Sequence, residues 1–184
     1  MAVSLARAFA DDPVSTWMLP AARRHTRMTT MFTLMLRSHV ALAETYSTAD
    51  GVGVAVWAPP GRWQLDLDVM AANAQGHASI FGPNLARAID AHQLLEDNHP
   101  ADPAHWYLAA LGTHPDWQGN GIGTALMQPV LTRADAEGLP AYLESSKERN
   151  IAYYGRLGFE VTGELHLPNG GPSLWSMWRE PTRR

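Results

Sequence analysis

Residues 106–124 read WYLAALGTHPDWQGNGIGT, and this stretch decides the fold. Trp106 to His114 is an apolar run of strand length, and from Ile122 the apolar residues recur at helical spacing as far as Glu137, with Gly138 as the stop. Between them Gln118-Gly119-Asn120-Gly121-Ile122-Gly123-Thr124 joins a strand to a helix. Successive backbone N–H groups in such a join can point at an anion, helped by the positive end of the helix dipole, and glycines admit phosphate oxygens where a Cβ would block them. A ligand carrying a phosphate or pyrophosphate is therefore expected. The plainer reading is a tight turn that packs helix on strand. A Rossmann fingerprint begun at Gly119 needs glycine at Thr124, and one begun at Gly121 needs it at Leu126. A Walker A loop needs a Lys, which this segment lacks, so kinases and NTPases are disfavoured.

Downstream, AYLES starts a strand at Ala141, and Asn150 opens a short helix carrying Tyr153, Tyr154 and Leu157 that Gly158 ends. Strands near Phe159 to Leu167 and Ser173 to Trp178 finish the chain. Upstream, Val3, Leu5, Ala6 and Phe9 predict a helix from Ala2 to Ala10 that stops at Asp11-Asp12-Pro13. After Pro20, Met28, Met31, Phe32, Met35, Leu36 and Val40 recur three and four apart as a second amphipathic helix. Thr45 to Thr48 and Val52 to Ala58 flank the turn Ala49-Asp50-Gly51 as a β-hairpin. Pro59-Pro60-Gly61 closes it, and Leu65 to Ala74 and Leu85 to Leu95 read as helices separated near Gly82-Pro83. One strand-helix-strand unit inside a largely hairpin-connected sheet is an α+β, or mixed α/β, plan. Without repeats, low-complexity tracts or a long linker, residues 1–184 read as one domain.

Fourteen Lys and Arg against 18 Asp and Glu give a net charge of -4, which offers no general cationic field to a nucleic acid backbone. The hydrophobic fraction of 46% rules out intrinsic disorder, and the absence of Cys rules out disulfides, a thiol nucleophile and thiolate metal sites. Apolar stretches break well before the ~18 residues of a membrane span. The start, MAVSLARAFADDP, lacks the pattern of a secretory signal, so a mature cytoplasmic protein is expected.

Gln118, Gly121 and Gly123 form a Gln-x-x-Gly-x-Gly pattern, and Asn150 is followed by Tyr154-Gly155-Arg156-Leu157-Gly158-Phe159. In order and spacing these resemble the acetyl-CoA loop and the Asn…Tyr-x-x-x-Gly-Phe segment of the GNAT acyltransferase superfamily. Within that superfamily the likeness extends to the puromycin N-acetyltransferases, through AFADDP, VAVW, HPDWQGNGIG, ADAEGLPAYLESSKERN and YGRLGFEVTGE. It is densest from Trp106 to Glu164 and thin from Arg62 to Pro100.

The resemblance implies a largely antiparallel sheet, flanked by helices and split where the strand ending near Thr113 diverges from the one beginning at Ala141. Acetyl-CoA would enter the split as acyl donor. Its pantetheine arm would pair with the backbone of Ala110, Leu111 and Thr113 like an added strand, and its pyrophosphate would meet Gln118, Gly119, Asn120, Gly121, Ile122, Gly123 and Thr124. Tyr154 resembles the family's general acid, beside the CoA sulfur; Tyr153 serves as its control, because neighbouring helical residues point about 100° apart. Asn150 can cap its helix or hydrogen-bond the cofactor. Glu144, near the end of the strand lining the cleft, is the first candidate for the base that takes the amine proton; a surface or ion-paired Glu144 and a water relay are the alternatives.

The acceptor implied is a primary amine of a small molecule, a puromycin-like antibiotic among them, with Phe9, Trp17, Phe32 and Trp57 as candidate substrate contacts; Met and Phe at helical spacing also read as core. A non-catalytic acetyl-CoA sensor and a protein N-terminal or lysine acetyltransferase are the alternatives. His114 precedes Pro115 and reads as solvent-facing, and no His spacing suggests a metal. Two departures from the family stand out. Asn120 occupies a position where relatives commonly place Arg or Lys, and the chain opens in a helix where most members have a strand. Without that strand the edge near Thr45 to Thr48 is unpaired, which suggests a homodimer, another covering segment or a natural chain that begins upstream.

Overall fold

The computed structural model describes residues 1–40, 44–64 and 74–182. Six strands form one sheet in the order β1-β2-β3-β4-β6-β5: β1 (Thr45–Ser47), β2 (Gly53–Ala58), β3 (Trp106–Thr113), β4 (Ala141–Ser145), β5 (Glu160–His166) and β6 (Ser173–Arg179). Every neighbouring pair is antiparallel except β3 and β4. The sheet is thus the mixed, largely antiparallel one that the sequence predicts. The helices are α1 (Ala2–Ala8), α2 (Pro13–Met18), α3 (Arg24–Val40), α4 (Ala74–Phe81), α5 (Leu85–Asn98), α6 (Ile122–Glu137) and α7 (Ile151–Gly155). The helix read at Leu65 to Ala74 falls almost wholly outside the described residues.

Two of these helices have no counterpart in the sequence reading. Asp12 caps α2, its Oδ1 accepting from the backbone N–H of Ser15 at 2.8 Å, and Pro13 takes the first helical position. The Asp-Asp-Pro that stops α1 therefore also starts α2. The other is α4, whose sequence AQGHASIF carries little helical pattern.

A bulge in β3 sets the geometry of the sheet. Val56 lies opposite Ala110 and Trp57 opposite Leu108, which leaves Ala109 as an extra residue on β3. Such a residue bends its strand and reverses the alternation of faces. Trp106 and Leu108 before the bulge pack with Ala55, Trp57, Leu143 and Met177 against Met127, Val130 and Ala134 of α6. Ala110 beyond it joins Val54 and Val56 on the opposite face, against Leu5, Met28 and Phe32 of α1 and α3. Gly112 continues that face, where an added Cβ would stand 2.8 Å from the Leu5 side chain, so α1 lies directly on the far end of β3.

The bend parts β3 from β4. The two strands pair in parallel at Trp106 opposite Ala141 and Tyr107 opposite Tyr142, and β4 pairs onward only with β6 on its other side. The cleft so formed is where the sequence resemblance put it. At the opposite end of the sheet order, β1 is an edge strand.

Candidate functional site

The cleft has a volume of ≈ 720 Å³ and is walled by Leu108 to Thr113 of β3, by Leu143 to Ser145 of β4 and by the start of α6. At its mouth Gly121 takes the N-cap position of α6 with φ 76°, a left-handed conformation that glycine adopts without strain. No side chain caps this helix and no acidic residue stands in its first turn, so no side chain of the helix start competes for its leading N–H groups. Space for an added Cβ is open at Gly119 and Gly121. At Gly123 such a Cβ would stand 2.8 Å from the Tyr153 hydroxyl, so glycine there permits the close approach of α7 to α6. Glycine cradle, bare helix start and recessed strand edge together fit the diphosphate and amide arm of a CoA thioester.

Most of the cofactor residues anticipated from the sequence meet on this cleft: Ala110, Leu111, Thr113, Gln118, Gly119, Gly121, Ile122, Gly123, Thr124, Asn150 and Tyr154. Gln118 also ties the loop to the strand, its amide donating to the Thr113 carbonyl at 3.0 Å. Asn150 lines the cleft without capping α7, so the capping role is withdrawn. Asn120 is a correction. Its amide turns back to donate to the carbonyls of Trp117 and Gln118 at 3.1 and 3.3 Å, and its side chain braces the loop away from the cleft wall. Cations nonetheless line the cleft, from positions the sequence reading passed over: Lys147, Arg149 and Arg156.

Three of the four anticipated substrate residues lie elsewhere. Trp57 is fully buried at 0% exposure, because its position on β2 faces α6 across the core. Phe32 is buried on α3, its ring 5.1 Å from that of Phe9. Trp17 packs with Leu167 and Leu174 and under the guanidinium of Arg87 at 5.5 Å. All three large apolar side chains serve the core or its edge, and Phe9 alone of the four reaches the cleft. His114 is partly exposed and faces its own turn, Nδ1 accepting from the Asp116 backbone at 3.4 Å.

The two tyrosines of α7 are placed differently. Tyr154 is nearly buried, joins the main core with Phe159, and shares in the cleft wall. Its hydroxyl has no hydrogen bond among the described residues, and burial, with the neighbouring Tyr153, pushes its ionisation well above the ordinary phenol value, so it stays protonated. Tyr153 directs its hydroxyl to the first turns of α6, 3.8 Å from Met127 Sδ.

Glu144, on β4, lines the same cleft with its side chain only 5% exposed, which removes the reading of it as a surface residue. Oε2 accepts from the Tyr107 hydroxyl at 2.9 Å, while Oε1 is buried without a hydrogen bond. Burial drives the carboxyl up from 4.5 to about 7, against the opposing effect of the hydrogen bond from Tyr107. A group so tuned is ionised at slightly alkaline pH and is ready to accept a proton there.

Asp12 also lines the cleft, and the sequence reading gave it no role there. Its Oδ2 accepts from the Ser146 hydroxyl, while the adjacent Asp11 pairs with Lys147 at 2.5 Å and Arg149 at 3.0 Å. The loop after α1 is thereby fastened to the loop after β4. Among the described residues no group of His, Cys, Asp and Glu is arranged to hold a metal ion, and no helix is long and apolar enough to cross a membrane.

Residues 65–159 match the acetyltransferase (GNAT) family model. An uncharacterized N-acetyltransferase of Schizosaccharomyces pombe is 28% identical, over 98% of this chain and 78% of its own length. Among solved structures, the histone acetyltransferase HPA2 and related acetyltransferase of Corynebacterium glutamicum superposes with a TM-score of 0.69 at 26% identity, covering 100% of this chain and 90% of that one. The polyamine N-acetyltransferase of Drosophila melanogaster shares the fold, with a TM-score of 0.62 at 17% identity over 96% of this chain and 90% of its own. The split sheet, the glycine-capped helix beside it and the matched family model lead to one conclusion: the chain belongs to the acetyltransferase (GNAT) family and is an acetyl-CoA-dependent acyltransferase.

Proposed function

We propose that this enzyme transfers the acetyl group of acetyl-CoA to the primary amine of a small molecule, by direct attack and without a covalent enzyme intermediate. The observation that carries this reading is the convergence on one cleft of the α6 cradle, a buried carboxyl and a buried phenol, Glu144 and Tyr154. Acetyl-CoA, when bound, supplies a thioester carbonyl open to attack by an amine. The N–H groups at the start of α6 bind its diphosphate, and the cleft-facing edge of β3, which runs past Ala110, Leu111 and Thr113, orients its amide arm. Glu144, ionised above pH of about 7, takes a proton from the substrate ammonium, which frees the nitrogen lone pair for attack on the thioester carbonyl. Tyr154, held neutral by burial, supplies a proton as the thiolate departs. Asp12 and Glu144 are the carboxyl groups on the cleft wall that can meet a cationic amine, beside the cations Lys147, Arg149 and Arg156.

With only Phe9 present at the cleft from the anticipated aromatic set, a flat aromatic acceptor has less support than a compact amine. A puromycin-like compound is accordingly one arm of the test and not its premise. Purified enzyme is incubated with acetyl-CoA and a panel of amines, from polyamines and amino acids to puromycin and an N-terminal peptide, while free thiol is measured. Turnover on a small amine, reduced at least ~100-fold in kcat by Tyr154→Phe, is the expected result. Acetyl-CoA binding without turnover on any amine would favour the sensor reading, and turnover confined to the peptide would favour a protein acceptor.

A further inference from the structure

Behind Glu144, on the side away from the cleft, stand two histidines. His99 follows the last turn of α5 and His105 immediately precedes β3. Both are buried, and their Nε2 atoms lie 2.9 Å apart. The His99 ring stacks on Trp63 at 3.7 Å and meets Tyr107 and Tyr142 edge-on. Its Nδ1 lies 3.9 Å from Oε1 of Glu144, the carboxylate oxygen that has no hydrogen bond.

The proton positions in this cluster follow from one fixed end. Nδ1 of His105 is 2.8 Å from the carbonyl of Pro103, which can only accept, so His105 carries its proton on Nδ1. Neutral His105 then presents a bare Nε2, and the 2.9 Å contact requires His99 to donate from its own Nε2. Nδ1 of neutral His99 is left bare, and it faces Glu144. Both rings are neutral near pH 7, because burial lowers each, His99 to about 3 with the help of His105.

We propose that His99 is a positioning residue for Glu144: the backbone carbonyl of Pro103, acting through His105, locks His99 in the tautomer whose bare Nδ1 awaits a proton on Oε1. This rests on the reading of Glu144 as the base. An ammonium N–H bond breaks, its electron pair stays on the nitrogen, and an O–H bond forms on Oε1. A small rotation of the carboxyl closes the remaining distance and completes a chain from Glu144 to His99, His105 and the Pro103 carbonyl. The ionised carboxylate has no such partner on Oε1, so the cluster favours the protonated product of base catalysis and strengthens the base. Tyr107 from β3, Tyr142 from β4 and Ser176 from β6 complete the surroundings of Glu144, with Asp12 and Lys147 on the cleft side.

The test reads tautomers directly. In ¹⁵N-histidine-labelled enzyme, two-bond N–H correlation spectra between about pH 6 and pH 8 are expected to show His99 neutral and protonated at Nε2. In His105→Phe, His99 loses its acceptor and can turn its proton to Nδ1, facing Glu144. In His99→Phe, the stack on Trp63 and the exclusion of water persist while the lone pair is gone. In both variants the Glu144 carboxyl, followed by ¹³C shift and by the acidic limb of the pH–rate profile, is expected to titrate at least one pH unit below that of the parent. Burial alone would leave it where it is. A parent His99 protonated at Nδ1 or cationic, or a Glu144 titration unmoved in both variants, overturns the proposal. The parent spectrum decides even where a variant fails to fold. Full turnover by Glu144→Gln overturns the base and this role with it, whereas a wrong tautomer beside an inactive Glu144→Gln overturns the positioning role alone.

Discussion

Glu144→Gln keeps the shape of the buried side chain and deletes its titration, so the difference in stability between variant and parent isolates one group. In the folded enzyme the carboxyl is pushed up from 4.5 to about 7. The folded chain thus retains a proton that the unfolded chain releases, and the associated stability is full below the unfolded value and is lost as pH rises through the folded one. At ~1.4 kcal/mol per pH unit, the gap corresponds to a few kcal/mol in all, most of which falls between pH 5 and pH 8. At 5% exposure the group is too deeply buried for solvent screening to reduce this much. The parent therefore loses stability relative to Glu144→Gln as pH rises, by about 2–3 kcal/mol over that interval. Urea unfolding of both proteins across the range, analysed by linear extrapolation, measures the difference directly. Thermal melts should show the same trend, at about 2–4 °C per kcal/mol for a chain of this size. A difference that stays flat, or that grows toward acid pH in the variant's favour, would refute the argument that burial has raised this carboxyl.

Two further outcomes bear on the cleft. Gly121→Ala forces a side chain into the left-handed N-cap of α6 and is expected to cost about 1 kcal/mol in stability, while weakening acetyl-CoA binding in calorimetric titration by at least ~10-fold; unchanged affinity would remove the cradle from the reading. Asp12→Ala deletes the cap of α2 and the link to Ser146, and should destabilise the enzyme by about 1–2 kcal/mol in urea unfolding; a loss below ~0.3 kcal/mol would show that the cap carries no weight.

The fold was legible where local pattern and local chemistry agree. The run from Trp106 into the helix ending at Gly138 has strand length, a helical period and glycine stops, and every one of these reports on the chain's own neighbours. The cleft was legible only through resemblance, because what opens it is the extra Ala109 in β3, and a bulge among small apolar residues leaves no period to read. The substrate residues failed for a related reason. Trp17, Phe32 and Trp57 are large and apolar, and a sequence does not distinguish an aromatic that faces a core from one that faces a groove. Asn120 was read as one of the loop's backbone donors, and its side chain shows that a short amide in a turn finds the carbonyls of its own loop first. The histidines behind Glu144 were passed over because metal-ligand spacing was the only pattern sought among them. Their significance is tertiary, since His99 and Glu144 approach one another only after β3 and β4 have been laid side by side.

The parting of β3 from β4 creates a pair of strand borders inside the molecule instead of at its rim. Such borders on the outside of a protein invite pairing with other chains, which is why exposed ones are short, charged or covered. Here the border lies inside the cleft, between β3, β4 and the start of α6, and not along an outer rim. The same recess that offers hydrogen bonds to a guest thus protects the enzyme from self-association at its most adhesive line.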